Sequence, residues 1–538
     1  MAELLIRDAR IVPLRSRSRL SQVRARTGAA APPCPVPDPV DLRISAGRVT
    51  QVGQHLADDG ARVLAADGAF IIPGLWDAHA HLDLEAARAA RLDTLSTRSP
   101  EEALAIVAAA ARALPTGPGP VTIQGFGHRL SNWTRLPTVA ELDAVTGAIP
   151  TVLISGDAHS GWLNSAALRL LGLPGASAQD PGAPITEDPW FALLNRLDEI
   201  PGSRELRESG YRTVLARMLA QGVTGVVDMS WSSDHRDWPR RTAAWAAEGR
   251  LPAVLPRIRS AVYRDGLDQR VEAGLRSGSP LEGSPLAADG APLITQGPLK
   301  VIADGSMGTA SAHMCAPYPP ELGLDRPCGV ANISRRELSE LLERARLLGF
   351  EAAIHAIGDA AMNDVAAAFT ASGARGRLEH AQLLPADAMA DPDGALRQLV
   401  ASGIELSIQP AHLIDDWEAV GRVWPGLQER TYAFADMMSA GALLHLGSDA
   451  PVAPLDPWLA MSAAVGRRTP DQQVWSPGQC LSPEEALAAS IDGAGPLAQG
   501  SVADLVLLAE DPLVMSAEQL AAVRPLTTIV AGALAPRP

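Results

Sequence analysis

The stretch "FIIPGLWDAHAHLD", residues 70–83, is where the texture of the chain changes. Its apolar run leads into His79 and His81, and on a strand of period two both imidazoles point to the same face. Two imidazoles on one face can share a metal ion, although a core or surface strand can carry such a pair by accident. Downstream, short apolar runs alternate with helical segments, the signature of repeated βα units. Candidate strands end near His81, Asp228, Lys300, His355, His380, Gln409 and Asp449. Most of these ends carry a side chain able to bind metal, and strand C-termini are where a (β/α)8 barrel builds its active site.

Upstream the reading is different. "LLIRDARIV" and "DLRISAGRVTQVG" alternate as short strands, with "SAGR" as a hairpin turn. The segment between them, "RSRSRLSQVRARTGAAAPPCPVPDP", is Arg-rich, then Ala/Pro-rich, without an apolar period. It is expected to be an exposed loop. The end of the chain, "GSVADLVLLAEDP" and "LTTIVAGALAP", returns to short strands. Residues 1–72 and 496–538 are therefore expected to form one small β domain from both termini, and residues 73–495 the barrel, with an insertion at about 85–215. Ser99 to Glu102, Ser334 to Glu337 and Ser482 to Glu485 each place Ser three residues before Glu, which marks helix starts with capping boxes.

Composition narrows the function classes. Hydrophobic residues make up 47% of the 538, but charge or Pro interrupts every apolar run, so no membrane span is expected. The start "MAELLIRDARIV" lacks a basic segment followed by an apolar one, which predicts a cytoplasmic, soluble protein. The net charge of −15 argues against a nucleic-acid partner. Cys34, Cys315, Cys328 and Cys480 show no paired spacing, which suits reduced thiols.

Lys300, in "GPLKVIADGS", is the single lysine among 46 basic residues. Coding bias toward Arg explains the depletion but not the place of the survivor. Lys300, His355 and His380 are spaced by 55 and 25 residues, and Asp449 follows His380 by 69, so successive strands would bring them to one barrel mouth with His79 and His81. Imidazole with carboxylate suits zinc, and also manganese, iron or nickel, with a position left for water. Apart from any role with a metal, Lys300 can be read as a structural ion pair or a Schiff-base nucleophile.

The ordered set "DAHAH", "LKVIADGS", "IHAIGD", "LEHAQ" and "LGSDAP" resembles the amidohydrolase superfamily. "GDAHSGWLNSAAL", "KVIADGSMGTASA", "AIHAIGDAAMNDV", "SIQPAH" and "GSDAPVAPLDPW" resemble the branch that includes N-substituted formamide deformylases. The resemblance covers nearly the whole chain. It implies an α/β fold, a metal-bearing (β/α)8 TIM barrel with a flanking small β-sandwich formed by both termini. It also implies His79, His81, His355 and His380 as metal ligands, Asp449 as ligand and proton-transfer group, and Lys300 as a carbamate, made with carbon dioxide, that bridges two metals. Members of the superfamily carry one or two divalent ions, and the motifs do not distinguish the two. His159 and Asn164 lie in a segment that looks like the family's pocket segment and are read as substrate-binding, as is His412 in "QPAH", with a simple loop histidine as its other reading. Trp133, Trp162, Trp190 and Trp231 are read as pocket walls or as packing. Where family members often show a "GWDE" type sequence, this chain has "GFGHRLSNW".

The expected function is metal-dependent hydrolysis of a C–N bond, an amide or N-acyl or formyl group, on a small-molecule substrate. The same site would serve an esterase, a lactonase or a cyclic-imide hydrolase. A non-catalytic ligand-binding barrel is the alternative from another class. Oligomeric state, homo-oligomer included, is left open.

Overall fold

Eight parallel strands form the centre of the fold: β1 (Leu75–Ala80), β2 (Val223–Asp228), β3 (Arg257–Tyr263), β4 (Ile294–Ile302), β5 (Ala352–Ala356), β6 (Gly376–His380), β7 (Glu405–Ile408) and β8 (Leu444–Leu446). This computed structural model describes residues 3–114, 121–130, 133–156, 160–175, 182–194, 196–231 and 234–536. Each strand pairs with the next in that order, and Ala80 bridges Ala450 just past β8, so the barrel is nearly closed.

These strands are buried on both sides, which is why they read as near-continuous apolar runs. Val262, Leu299, Val301, Ile354, Leu378, Leu406 and Leu446 share one core with Leu338 and Leu342 of the helix Arg335–Leu347 and with Met362, Val365 and Phe369 of the helix Asp359–Ser372. Each such side chain, fully buried, contributes about 1.5–3 kcal/mol. A smaller group, Val227, Met229, Ala261 and Ala353, packs together separately.

The strand ends read from the sequence match seven of the eight; β3 was missed. Its run "RIRSAVY" looks polar because its arginines serve neighbours. Arg257 Nε lies 2.6 Å from Asp504, and Arg259 pairs with Asp492 at 2.6 Å while stacking over Trp76 at 4.2 Å.

The termini form two sheets that share the strand Leu4–Ile11. Its first half lies between Val40–Ser45, which continues to Arg48–Gly53, and Arg62–Ala65; its end meets Phe70–Pro73, followed by Leu505–Leu508, Thr527–Val530 and Ala533–Leu534. Register slips between Ile6 and Ala9, where Asp8 takes a left-handed φ of 57°. That bulge bends the strand from one sheet into the other. Leu4, Ile6, Leu42, Ile44, Ile71, Leu505, Leu507 and Ile529 fill the core of this part.

One expectation fails at residues 15–39. Arg17–Thr27 is a helix, capped by Ser16, rather than exposed loop. It lacks an apolar stripe because ion pairs dock it. Arg24 Nη2 is 2.6 Å from Glu485 with both side chains buried, Arg15 bonds Glu484, and Arg17 Nη1 donates to the Leu444 carbonyl at 3.2 Å. Leu20 and Ser21 are buried against this base, Ser21 donating to the Met438 carbonyl. Glu484 and Glu485 open the helix Pro483–Ala489, so Glu485 both completes its capping box with Ser482 and holds Arg24. Ser334 and Glu337 form a second complete box; Ser99 receives the Glu102 N–H, but the Glu102 carboxylate takes the Arg98 N–H instead.

The chain divides into two compact units, residues 1–82 with 215–538, and residues 83–214. The second holds a five-stranded sheet in the order Ile185–Thr186, Ser160–Leu163, Thr151–Ser155, Ile123–His128 and Leu92–Asp93. Trp133, Trp162 and Trp190 are buried in its cores, so these three pack the unit. Trp231, in the first unit, is 56% exposed and stacks on Tyr263. All four cysteines are free, and no helix among the described residues is long and apolar enough to cross a membrane.

Arg24→Ala should strand the buried Glu485 carboxylate and lower stability by about 3–5 kcal/mol. The shift in denaturant midpoint measures it, with Arg19→Ala on the exposed side of the same helix expected to stay within about 0.5 kcal/mol of the parent. Equal midpoints for the two variants would show that the pair does not dock the helix.

Candidate metal centre

Asp77, His79 and His81 share a side of β1 and its extension, as the period of two requires. Asp77 Oδ1 accepts the N–H of His79 and, at 3.0 Å, that of Ser448. The Asp449 N–H donates to the His79 carbonyl at 2.6 Å, and the His81 N–H to the Ala450 carbonyl at 2.8 Å. This approach needs Gly447, because a Cβ there would sit 2.8 Å from His79 N and 2.9 Å from His79 Cβ. Asp449 then turns inward through a left-handed φ of 55°. One ligand atom each from His79, His81 and Asp449 lie within 4.8 Å of one another. Asp449 Oδ1 is 3.2 Å from His81 Nε2 and 3.5 Å from His79 Nε2.

The remaining barrel candidates come to the same end. His380 closes β6, its ring 5.0 Å from that of His79 and 4.4 Å from that of His355 on β5. Strict alternation would put Glu379 and His380 on opposite faces of β6. Left-handed backbone at His380, φ 75°, and Ala381, φ 47°, breaks the alternation, and both side chains reach His79. Non-glycine residues in this region are costly, by about 1–3 kcal/mol, and cluster at functional sites. Lys300 on β4 is 2% exposed, and its Nζ has no hydrogen-bond partner among the described residues. A structural ion pair, one of the readings for this lysine, is absent there. His412 opens the helix His412–Val423 after β7, with Nε2 3.9 Å from Asp449 Oδ2.

His159 lies outside the described residues. Asn164 belongs to the unit 83–214, where it caps the helix Ser165–Leu170. Its Oδ1 accepts from the Thr151 and Ala167 N–H groups, and its Nδ2 donates to Thr146 Oγ1 and the Ile149 carbonyl. Every position of the amide is used, which leaves none for a substrate.

Three buried carboxylates, none of them read as a site residue from the sequence, support the site. Asp304 accepts the N–H groups of Ile357, Gly358 and His313, tying together the loops after β4 and β5. Burial pushes its carboxyl up to about 7 in spite of those three bonds. Asp77 rises for the same reason to about 6, and its spacing two residues before His79 is the signal that could have found it. Glu379 was hidden beside His380 by the alternation rule.

Electrostatics here favour neutral imidazoles around an anion. Burial, with Lys300 adding to it, pulls His79 down to about 4 and His355 to about 3, and burial takes His380 well below the ordinary range. Burial also draws the Lys300 ammonium down to about 8, against the pull of Glu379 and Asp449. For Asp449 burial favours the acid, but His79, His81, His380 and His412 outweigh it and hold the carboxylate well below its usual range. Neutral imidazole and ionised carboxylate are the forms that ligate metals. Among the described residues, both ring nitrogens of His380 are buried without a hydrogen-bond partner, as are Lys300 Nζ, His81 Nδ1 and His412 Nε2. Such a donor set, converging yet unsatisfied, fits a divalent ion.

Comparison with known proteins agrees with this geometry. The amidohydrolase family model matches residues 62–535. N-substituted formamide deformylase of Arthrobacter pascens is 27% identical over 543 residues, covering 91% of this chain and 94% of that protein. Putative amidohydrolase YtcJ of Bacillus subtilis is 25% identical over 499 residues, 87% of this chain and 89% of its own. Among solved structures, a metal-dependent hydrolase from Pyrococcus horikoshii superposes with a TM-score of 0.72 at 26% identity, over 96% of this chain and 99% of that one. With the match spanning most of its length, from the terminal sheets through the barrel and its cluster of histidines, this chain belongs to the amidohydrolase family.

Proposed function

We propose that this protein hydrolyses a C–N bond, an amide or N-acyl group that includes N-formyl, on a small substrate, with one or two divalent ions held by His79, His81, His355, His380 and Asp449 and by Lys300 as its carbamate. The observation that carries the reading is the meeting of His79, His81 and Asp449, with the His380 ring packed between those of His79 and His355, and with Lys300 Nζ and both His380 nitrogens buried without a hydrogen-bond partner among the described residues. The choice of a C–N bond leans on the likeness to N-substituted formamide deformylase. Zinc suits the donors best, and manganese, iron or nickel would also fit.

A divalent ion held there would make a water nucleophilic near neutral pH and polarise the substrate carbonyl. Asp449, ionised and facing His79, His81 and His412, is placed to take the proton from the attacking water and pass it to the leaving amine. Lys300 supplies what arginine cannot. Its neutral amine adds to carbon dioxide, forming an N–C bond and releasing one proton, and the product is an anionic oxygen donor where the bare amine has no partner. His412, with Nε2 3.9 Å from Asp449 Oδ2, would contact substrate or assist Asp449.

Elemental analysis of protein purified without added metal should find one or two divalent ions per chain, with turnover lost on exhaustive chelation and restored by zinc. Full activity in the metal-stripped protein would exclude the mechanism.

Lys300→Arg keeps the charge but cannot form the carbamate, so metal content and kcat should fall together. Carbon-13 NMR after labelled bicarbonate should show a carbamate signal in the parent and none in the variant. A parent without that signal, fully active and metal-loaded, would refute the carbamate.

Asp449→Asn preserves shape and a coordinating oxygen while removing the base. Metal should be largely retained and kcat should drop by about 10²-fold or more. Unchanged kcat at normal metal content would transfer the proton step to another residue, with His412→Asn the variant to compare.

A further inference from the structure

Glu379 takes no part in the chemistry proposed above, yet it is 0% exposed in the middle of the candidate ligands. Its Oε2 lies 2.8 Å from His79 Nδ1, and the His79 ring is itself buried. Behind it, Arg377 Nε is 3.6 Å from Glu379 Oε1, while Arg377 Nη2 donates to the Ala78 carbonyl at 3.4 Å. Arg377 and Glu379, two apart on β6, thus form a short chain of charge ending at His79.

The chemistry of this contact is one-sided. An ionised carboxylate only accepts hydrogen bonds, so the neutral imidazole must carry its proton on Nδ1. That leaves the Nε2 lone pair free, and Nε2 is the atom 3.5 Å from Asp449 Oδ1, inside the cluster made with His81. His380 has no bond at either ring nitrogen and lacks such a support.

We infer that Glu379 is a positioning residue: it fixes His79 in the Nδ1–H form, aims Nε2 at the metal position, and is itself steadied by Arg377. The inference rests on the metal-dependent reading given above. A carboxylate behind a ligating imidazole sets the tautomer and ring orientation and raises the basicity of the ligand, and losing it typically weakens metal binding by about 10–100-fold. If Glu379 instead served only to neutralise Arg377 inside the barrel, its loss would change stability and leave metal affinity intact.

The test is zinc affinity, measured by competition with a chromophoric chelator for the parent and for Glu379→Gln, which keeps the volume and removes the charge. The variant should bind zinc about 10–100-fold more weakly. A parent that takes up no divalent ion refutes the metal reading and this inference together. A parent that binds zinc, with the Gln variant binding within twofold of it, refutes this inference alone. Nitrogen-15 NMR of the histidine-labelled, zinc-loaded parent gives a readout that does not depend on the variant folding. His79, assigned through both neighbours because Ala78–His79–Ala80 is the single Ala–His–Ala of the sequence, should carry its proton on Nδ1, and a proton on Nε2 would overturn the inference.

Discussion

Closing β8 onto β1 is the contact on which the rest of this structure depends. Asp77 grips the backbone of both sides through the His79 and Ser448 N–H groups, and the Asp449 N–H meets the His79 carbonyl. An unclosed barrel would leave two strand edges with unpaired N–H and C=O groups. The same few peptide units also present His79, His81 and Asp449 to one another. Closure and site are therefore one constraint, and Gly447 is where it is tightest, since no side chain fits against His79.

That arrangement works against stability by itself. His380, Lys300 and His412 hold polar atoms away from water without partners, and each such group costs about 1–3 kcal/mol. Left-handed backbone at His380 and Asp449 adds strain. The layers of Leu, Ile, Val and Phe between barrel and helices offset these costs. Asp304 and Asp77 contribute differently: Asp304 through both oxygens and Asp77 through Oδ1 accept backbone N–H groups, which ties the loops that carry the candidate ligands by hydrogen bonds.

Legibility in the sequence followed from how local each signal was. His79 with His81, and the strand ends at Lys300, His355, His380 and Asp449, could be read because an apolar run that stops in a polar residue is a property of a few neighbours. β3 could not, because Arg257 and Arg259 answer to Asp504 and Asp492, distant in sequence. The helix Arg17–Thr27 failed for the same reason, since its docking partner Glu485 lies over four hundred residues away. Asn164 lies in a segment that resembles the family's pocket segment, while its four hydrogen bonds go to Thr146, Ile149, Thr151 and the first turn of its own helix at Ala167.

By itself, the sequence determined the alternation of strand and helix, the β character of both ends and the kinds of donor available, because periodicity and residue type are written locally. The single lysine, Lys300 at a strand end, stood out by its count alone. Only the tertiary structure decided that Glu379 faces His79 beside His380, that Asp77 joins the two ends of the barrel, and that an arginine-rich segment is a docked helix. Those outcomes depend on backbone angles and on pairings between residues far apart in the chain. Local sequence carries no record of a partner that folding alone brings near.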